Sequence, residues 1–498
     1  MVVNIQDWKK NKIKEEQITR YLNKDGTEFV NEEIIEKDLK NNTKVEKSRV
    51  REIIAKSLEI KTLTPQETAT LLNVTDPQLS NEMEEAAGTI KKKVYDNRIV
   101  TFAPLYLSTV CVNSCVYCGL RENNTAMRRG VLSMNEVRKE VEVLAGTIGH
   151  KRLIVVYGEH PESDTQYMMD TLRAIYDVKI PLSSGAYGAI RRVNVNGAPL
   201  SIEDFKSLNE VGIGTYQIFQ ETYHKGAYGT AHPANTLKGN YRWRLYAMHR
   251  ALEAGIDDVG IGALLGLHDW KFEVMGLLAH AIELESKFGI GPHTISFPRI
   301  EPAENTPFAL NLKHKVSDAD FRKAIVVLRL AVPYTGMILT ARENALMRKE
   351  MIPLGITQTD ASSNIGLGAY NDFASRDQLA SRQQFILGDI RSLDEVVREL
   401  AGMGYITSFC TAGYRCGRTG QCIMDLLRSG AEGKFCKLNA VITYREWLDD
   451  FASPETKQIG ESIIVSEIEQ IKNKMPDVYP TFIEQYERTV KGERDIYF

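Results

Sequence analysis

A strand–helix rhythm between residues 99 and 363 limits the fold of this 498-residue chain more than any other feature. Short apolar runs read as strands: IVTFAPLY at 99–106, RLIVVYG at 152–158, RRVNVN at 191–196 and TYQIFQ at 215–220. The set continues with DVGIGAL at 258–264, HTISFPR at 293–299, MILTAR at 337–342 and ITQTDASS at 356–363. Between them lie stretches with helical spacing of apolar positions, such as MNEVRKEVEVLAG, WRLYAMHRALEAG and DFRKAIVVLRLAV, several of them closed by Gly. Eight strand–helix units over roughly 270 residues match the length of an α/β chain folded as a (β/α)8 barrel of TIM type. On pattern alone, an open doubly wound sheet is the alternative.

The flanks differ from this core. Residues 1–98 read as an N-terminal helical arm. Its first 60 or so residues are dense in Lys and Glu, as in exposed helix or a loosely attached segment. Thr64-Pro65-Gln66-Glu67 is a helix start. The barrel is expected over 99–385, and a helical C-terminal region over 386–498. Hydrophobic residues make up 43% of the chain and the formal net charge is −3, which gives no basis for a nucleic-acid partner. No apolar run approaches the ~18 residues of a membrane span, and the N-terminus has no apolar core of signal-peptide type. The expected location is the cytoplasm.

The seven cysteines form two tight groups: Cys111, Cys115 and Cys118, then Cys410, Cys416, Cys422 and Cys436. An odd number of cysteines without a secretion signal argues for a reducing compartment rather than a disulfide framework. The first group falls just after the first strand, which in a barrel is the catalytic face. Three thiolates can hold three irons of a 4Fe–4S cluster and leave the fourth open. A zinc site would ordinarily present four protein ligands.

Cys-x3-Cys-x2-Cys with Tyr117 before its last cysteine resembles the signature of the radical S-adenosylmethionine (SAM) superfamily. The segments FAPLYLSTVCVNSCVYCG, GHKRL, RRVNVN, VGIGTYQIFQETYH, AGIDDVGIG, GPHTISFPR, VPYTGMIL and GERDIYF are similar to one family within it. That family is the tyrosine lyases of the FeFe-hydrogenase maturase HydG and the thiamine-pathway enzyme ThiH, a 2-iminoacetate synthase, with HydG nearer. The resemblance implies a cluster at Cys111, Cys115 and Cys118 whose open iron binds SAM, and a 5′-deoxyadenosyl radical that removes a hydrogen from the substrate.

The same resemblance orients the reading of the barrel mouth. Glu159, in Gly158-Glu159, would hold the SAM amino group. Arg192, Asn194 and Asn196 alternate along one strand and share a face, which suits SAM contacts, and Gln220 is a further candidate for contact with the cofactor. Glu221 is a catalytic candidate for touching SAM or substrate, with His224 a weaker one. Arg342 is the other catalytic candidate, because a guanidinium pairs with a carboxylate in a bidentate fork and would fix an amino acid's carboxylate. His293 resembles a residue that ligates an extra iron near the family's second cluster. Ser362, Ser363 and Asn364 read as anion contacts or a plain turn.

The second cysteine group departs from the family's Cys-x2-Cys-x22-Cys motif. Cys410 and Cys436 hold the outer positions, but Gly413 stands in the middle. Three readings remain open: Cys416 substitutes for the absent ligand, all four cysteines bind a second iron–sulfur cluster, or no second cluster forms. Where the family pattern is Arg-Leu-Arg-Pro, this chain has Arg299-Ile300-Glu301-Pro302, an anion in place of a cation. The expected activity is cleavage of the Cα–Cβ bond of tyrosine to p-cresol and dehydroglycine, with CO and cyanide formation for hydrogenase maturation left open by Gly413. Alternatives are a divergent radical SAM enzyme acting on another aromatic amino acid such as tryptophan, or an iron–sulfur carrier or scaffold. The implied partners are the amino-acid substrate, an electron donor such as ferredoxin or flavodoxin, and hydrogenase-maturation proteins.

Overall fold

Arg98–Ser108 (β1) has no exposed residue along its eleven positions, the mark of a parallel strand covered on both faces. A computed structural model describes residues 4–371, 380–429 and 432–498 of the chain. Seven further strands follow β1 around the sheet: Arg152–Tyr157 (β2), Arg192–Asn196 (β3), Tyr216–Glu221 (β4), Val259–Ala263 (β5), Thr294–Ser296 (β6), Gly336–Leu339 (β7) and Gln358–Asp360 (β8). All neighbours pair in parallel. β8 returns to β1, with Val100 opposite Gln358 and Phe102 opposite Asp360, and closes the barrel. The eight strands lie where the apolar runs place them. The last three are shorter than those runs, because their polar ends belong to the mouth.

The sequence pattern gives no sign of a ninth strand. Ile406–Ser408 (β9) pairs with the start of β1, with Arg98 opposite Ile406 and Val100 opposite Ser408. Leu393–Gly402 and Glu432–Asp450 pack on it at the N-terminal end of β1, and Gly420–Ser429 packs on Glu432–Asp450. That end is the base, opposite the mouth.

Helix starts follow their capping residues. Thr64 and Glu67 form a reciprocal capping box on Pro65–Leu72, and Ser133 with Glu136 does so on Met134–Glu142. WRLYAMHRALEAG splits into two short helices, Tyr241–Leu245 and Ala247–Glu253. The Lys- and Glu-rich N-terminal segment is docked rather than loose. Ile18, Val30, Ile35, Val50 and Ile53 are buried. Gln17 also donates to Glu203 at 2.9 Å and accepts from the Ile202 amide at 2.9 Å. The apolar positions there are few but lie on one side, so the charged outer faces dominate the composition. No helix among the described residues is long and apolar enough to cross a membrane.

Phe102, Ile154 and Ile338 meet inside the barrel as a small apolar cluster. Above it opens a cavity at the mouth. Below it lies a polar layer toward the base.

Candidate active site

The loop after β1 carries Cys111, Cys115 and Cys118 to the rim of the mouth, where all three line a cavity of about 220 Å³. The loop is pinned at several points. Val112 N donates to Glu159 O at 2.9 Å, Cys118 N to Cys115 O at 3.1 Å, and Gly119 N to Gln384 O at 3.2 Å. Gly158 permits this approach: a Cβ there would sit 1.9 Å from Val110 O. Asn113 Nδ2 lies 3.6 Å from Cys111 Sγ, and Gln384 Nε2 donates to Cys118 Sγ at 3.4 Å. Burial pushes the Cys111 thiol up and the Cys115 thiol to about 12. Thiols so buried ionise when a metal takes the proton's place. A cubane cluster offers each thiolate its own iron corner, so the donor set fits a cluster better than a lone metal.

Glu159 lines the same cavity. Its Oε2 accepts from Asn113 Nδ2 at 2.6 Å, while Oε1 is buried without a partner among the described residues. An orphaned carboxylate oxygen facing a cavity is a site for a cationic group. Glu221 follows a register shift in β4 and has φ +71°, a left-handed conformation that costs of order 1–3 kcal/mol and turns its side chain into the mouth. Lys238 Nζ lies 2.7 Å and Arg244 Nη2 3.2 Å from its Oε1. Burial acts to raise the Glu221 pKa, but the two cations outweigh it and hold the group below the ordinary carboxylate value.

Arg342, just beyond β7, enters the cavity from the opposite wall. Phe385 lies under its guanidinium, 3.3 Å from ring centroid to Cζ. Burial lowers the Arg342 pKa. The stretch carrying Phe385 is fixed on both sides, by Gly119 N donating to Gln384 O at 3.2 Å before it and by Ile386 N to Pro302 O and Gly388 N to Ala341 O, both at 2.8 Å, after it. Glu301 also lines the cavity. Arg299 does not, being paired with Glu343 and with Asp318.

Several sequence expectations fall elsewhere. Of Arg192, Asn194 and Asn196, only Asn196 reaches the cavity. Arg192 sits at the base, where it stacks on Tyr414 at 3.8 Å. Asn194 accepts from Arg152 at 3.3 Å and from Thr215 N at 3.1 Å. Sharing a strand face does not mean sharing a height along the barrel, and the mouth lies at the strand's far end. Gln220 is not part of the cavity wall, because Gln217, Phe219 and Glu221 take the inward positions of β4. His224 caps the helix Lys225–Ala231 and stacks on His268. Ser363 donates to Asp360 at 2.5 Å, Ser362 Oγ accepts from Leu393 N at 2.7 Å, and Asn364 donates to Ala369 O at 2.8 Å. Ser363 and Asn364 make local turn contacts and Ser362 meets the start of a later helix; none of the three lines the cavity. Lys238, Arg244, Asn113, Gln384 and Phe385 were not expected from the sequence. Asn113 lies within the cysteine motif, in a position the spacing does not specify; the other four lie on connections without a motif, and only the closed fold brings them to the mouth.

The second cysteine group lies at the base. Cys410 and Cys436 line a pocket of about 10 Å³ with Ser408, Gly413 and Tyr497, room for one water at most. Cys416 is exposed and its Sγ donates to Phe498 O at 3.3 Å, and Cys422 is exposed on Gly420–Ser429. Among the described residues the pocket therefore receives two thiols and a glycine, one thiol fewer than the family's motif supplies. His293 Nδ1 stands 3.5 Å from Asp258 at the same end of the barrel.

The chain has known relatives. Residues 105–278 match the family profile of the radical SAM superfamily, and 296–406 match the biotin and thiamin synthesis associated domain. The crystal structure of HydG, a maturase of the FeFe-hydrogenase, superposes with a TM-score of 0.89 at 46% identity, covering 94% of this chain and 100% of that one. HydG from Carboxydothermus hydrogenoformans superposes at 0.74 with 36% identity, covering 96% of this chain and 99% of that one. The 2-iminoacetate synthase of Salmonella typhimurium is 27% identical over 341 residues, covering 67% of this chain and 84% of that protein.

Proposed function

The chain belongs to the family of HydG, the FeFe-hydrogenase maturase, and is a radical SAM lyase; we propose that it splits the Cα–Cβ bond of L-tyrosine into p-cresol and dehydroglycine. One observation carries this reading. Arg342, braced by Phe385, shares a single cavity with Cys111, Cys115 and Cys118. An amino acid bound through its carboxylate there lies within the cavity that would hold the cluster.

Cys111, Cys115 and Cys118 would hold the 4Fe–4S cluster, and Glu159 Oε1 fits the amino group of SAM. When bound, the cluster and SAM supply a carbon radical that removes a hydrogen atom. The residues of the chain then do the rest. Arg342 grips the substrate carboxylate in a fork that sets the direction of the amine. Lys238 and Arg244 keep Glu221 ionised and stationary, so it presents a fixed acceptor to hydroxyl groups of cofactor or substrate. Phe102, Tyr106, Ile154, Val156 and Ile338 wall the cavity and exclude water, which protects a reactive intermediate. An electron donor of ferredoxin or flavodoxin type completes the scheme.

We further infer that the reaction ends at dehydroglycine, without CO or cyanide, because Gly413 leaves the basal pocket one thiol short. The test is anaerobic incubation of the reconstituted protein with SAM, dithionite and tyrosine. The expected products are 5′-deoxyadenosine and p-cresol in equal amounts, with no CO trapped by deoxyhaemoglobin. Formation of 5′-deoxyadenosine only with a different amino acid overturns the tyrosine assignment. Trapped CO overturns the early stop.

A further inference from the structure

Four carboxylates line the mouth cavity, and three have at least one oxygen bound by a described residue. Glu221 is held by Lys238 and Arg244, Asp360 accepts from Ala341 N at 2.7 Å and from Ser363 Oγ at 2.5 Å, and Glu159 binds Asn113. Glu301 is different: no described residue donates a hydrogen bond to its carboxylate or forms a close ion pair with it. Its backbone is nonetheless fixed. Ile300 N donates to Leu265 O at 3.0 Å, and Pro302 O accepts from Ile386 N at 2.8 Å. The second of these bonds ties the Glu301 segment to the stretch bearing Phe385, and hence to Arg342.

The charges facing Glu301 come from several elements. Burial and then Glu343 raise its pKa, while Arg342, Arg299 and Lys315 lower it. Arg299 is already committed to Glu343 and Asp318. Arg342 makes its closest contact with the Phe385 ring and feels the field of Glu301. Arg342 and Glu301 are thus a cation and an anion of one cavity wall, both on fixed backbone and neither in a close ion pair or side-chain hydrogen bond with a described residue. A half-buried charge left in this state costs stability unless a ligand completes it. An α-amino acid carries its carboxylate and ammonium on one carbon, which is the complementary arrangement.

We infer that Glu301 holds the ammonium group of the amino acid whose carboxylate Arg342 binds, so that the two residues form a clamp for the zwitterion. This rests on the lyase reading above and extends it to the substrate class: α-amino acids with a free ammonium, not aryl acids or amines alone.

The experiment uses the reconstituted full-length protein with SAM and no reductant, so that binding is read without turnover. Calorimetry compares L-tyrosine with 3-(4-hydroxyphenyl)propanoate, which lacks only the ammonium, on wild type and Glu301→Gln. The expected result is a loss of tyrosine affinity of roughly tenfold or more in the variant, the scale of one charge-assisted hydrogen bond, with affinity for the deaminated acid unchanged. Unchanged SAM affinity shows that the variant is folded. Equal tyrosine affinity in both proteins, an equal loss for both ligands, or weakening confined to SAM overturns the inference. Wild-type p-cresol release is measured in the same preparation. If p-cresol forms while Glu301→Gln binds tyrosine normally, this inference alone fails. If the wild type neither binds tyrosine nor forms p-cresol, the tyrosine assignment fails and takes this inference with it.

Discussion

Arg342 rests on the face of Phe385, its Cζ 3.3 Å from the ring centroid. The ring restricts the guanidinium to one plane, and a cation–π contact of this kind contributes about 0.5–2 kcal/mol. Phe385→Ala frees the side chain, so KM for tyrosine should rise severalfold. Arg342→Lys keeps the charge but loses the planar fork, and KM should rise roughly tenfold to a hundredfold. Steady-state release of p-cresol measures both. An unchanged KM in Arg342→Lys would remove this residue from substrate binding.

Gly158 is a steric requirement. A methyl group there would press on Val110 O, the residue before Cys111. Gly158→Ala should displace the cysteine loop and lower iron and sulfide per chain after anaerobic reconstitution, with the circular-dichroism spectrum retained. A full complement of iron in this variant would show that the loop tolerates the shift.

Gly413 offers a gain-of-function test. A Cβ there would meet only Arg418 O, at 3.6 Å, an ordinary contact. Gly413→Cys therefore adds a third thiol beside Cys410 and Cys436 without a clash. Iron per chain should rise by as much as one cluster, and the extra iron should persist when Cys111, Cys115 and Cys118 are all replaced by Ala. In the wild-type background the same triple replacement should leave no cluster.

Glu273 sets a pH dependence of stability. It is buried behind β4, accepting from Tyr223 N at 2.9 Å and from Thr222 Oγ1 at 2.5 Å, and burial raises its pKa from 4.5 to about 8. Between those values the folded chain keeps the proton and the unfolded chain releases it. Stability is therefore greatest below about pH 4.5 for this group and falls as pH rises toward 8, by up to about 1.4 kcal/mol per pH unit. Chemical denaturation of the protein at pH 5 and pH 8 should show the decline, and Glu273→Gln should flatten it.

What the sequence reveals depends on how far apart the cooperating residues lie along the chain. Cys111, Cys115 and Cys118 are near neighbours, so their chemistry is legible as a spacing. The barrel strands are legible because burial leaves short runs rich in β-branched and aromatic residues at regular intervals between helical stretches. Arg192 and Asn194 mark the limit of such reasoning: alternation assigns them to the interior, but parity carries no information about depth, and both belong to the basal layer around Tyr414. Gln220 has the wrong parity beside Glu221. Lys238 and Arg244, which fix Glu221, come from the β4–β5 connection, and Phe385 from a segment beyond the last barrel strand. Their roles exist only once the barrel has closed.

The pairing of β9 with β1 has a consequence for how the two ends of the molecule communicate. Val100 lies opposite Ser408, two residues before Cys410, and Ser108, three residues before Cys111, is eight residues further along the same strand. At about 3.3 Å per residue that is roughly 26 Å. One stiff strand therefore acts as a spacer that holds the two thiol groups apart, whatever the surrounding loops do. Traffic between them along the interior would have to take the form of a diffusing molecule small enough to part Phe102, Ile154 and Ile338.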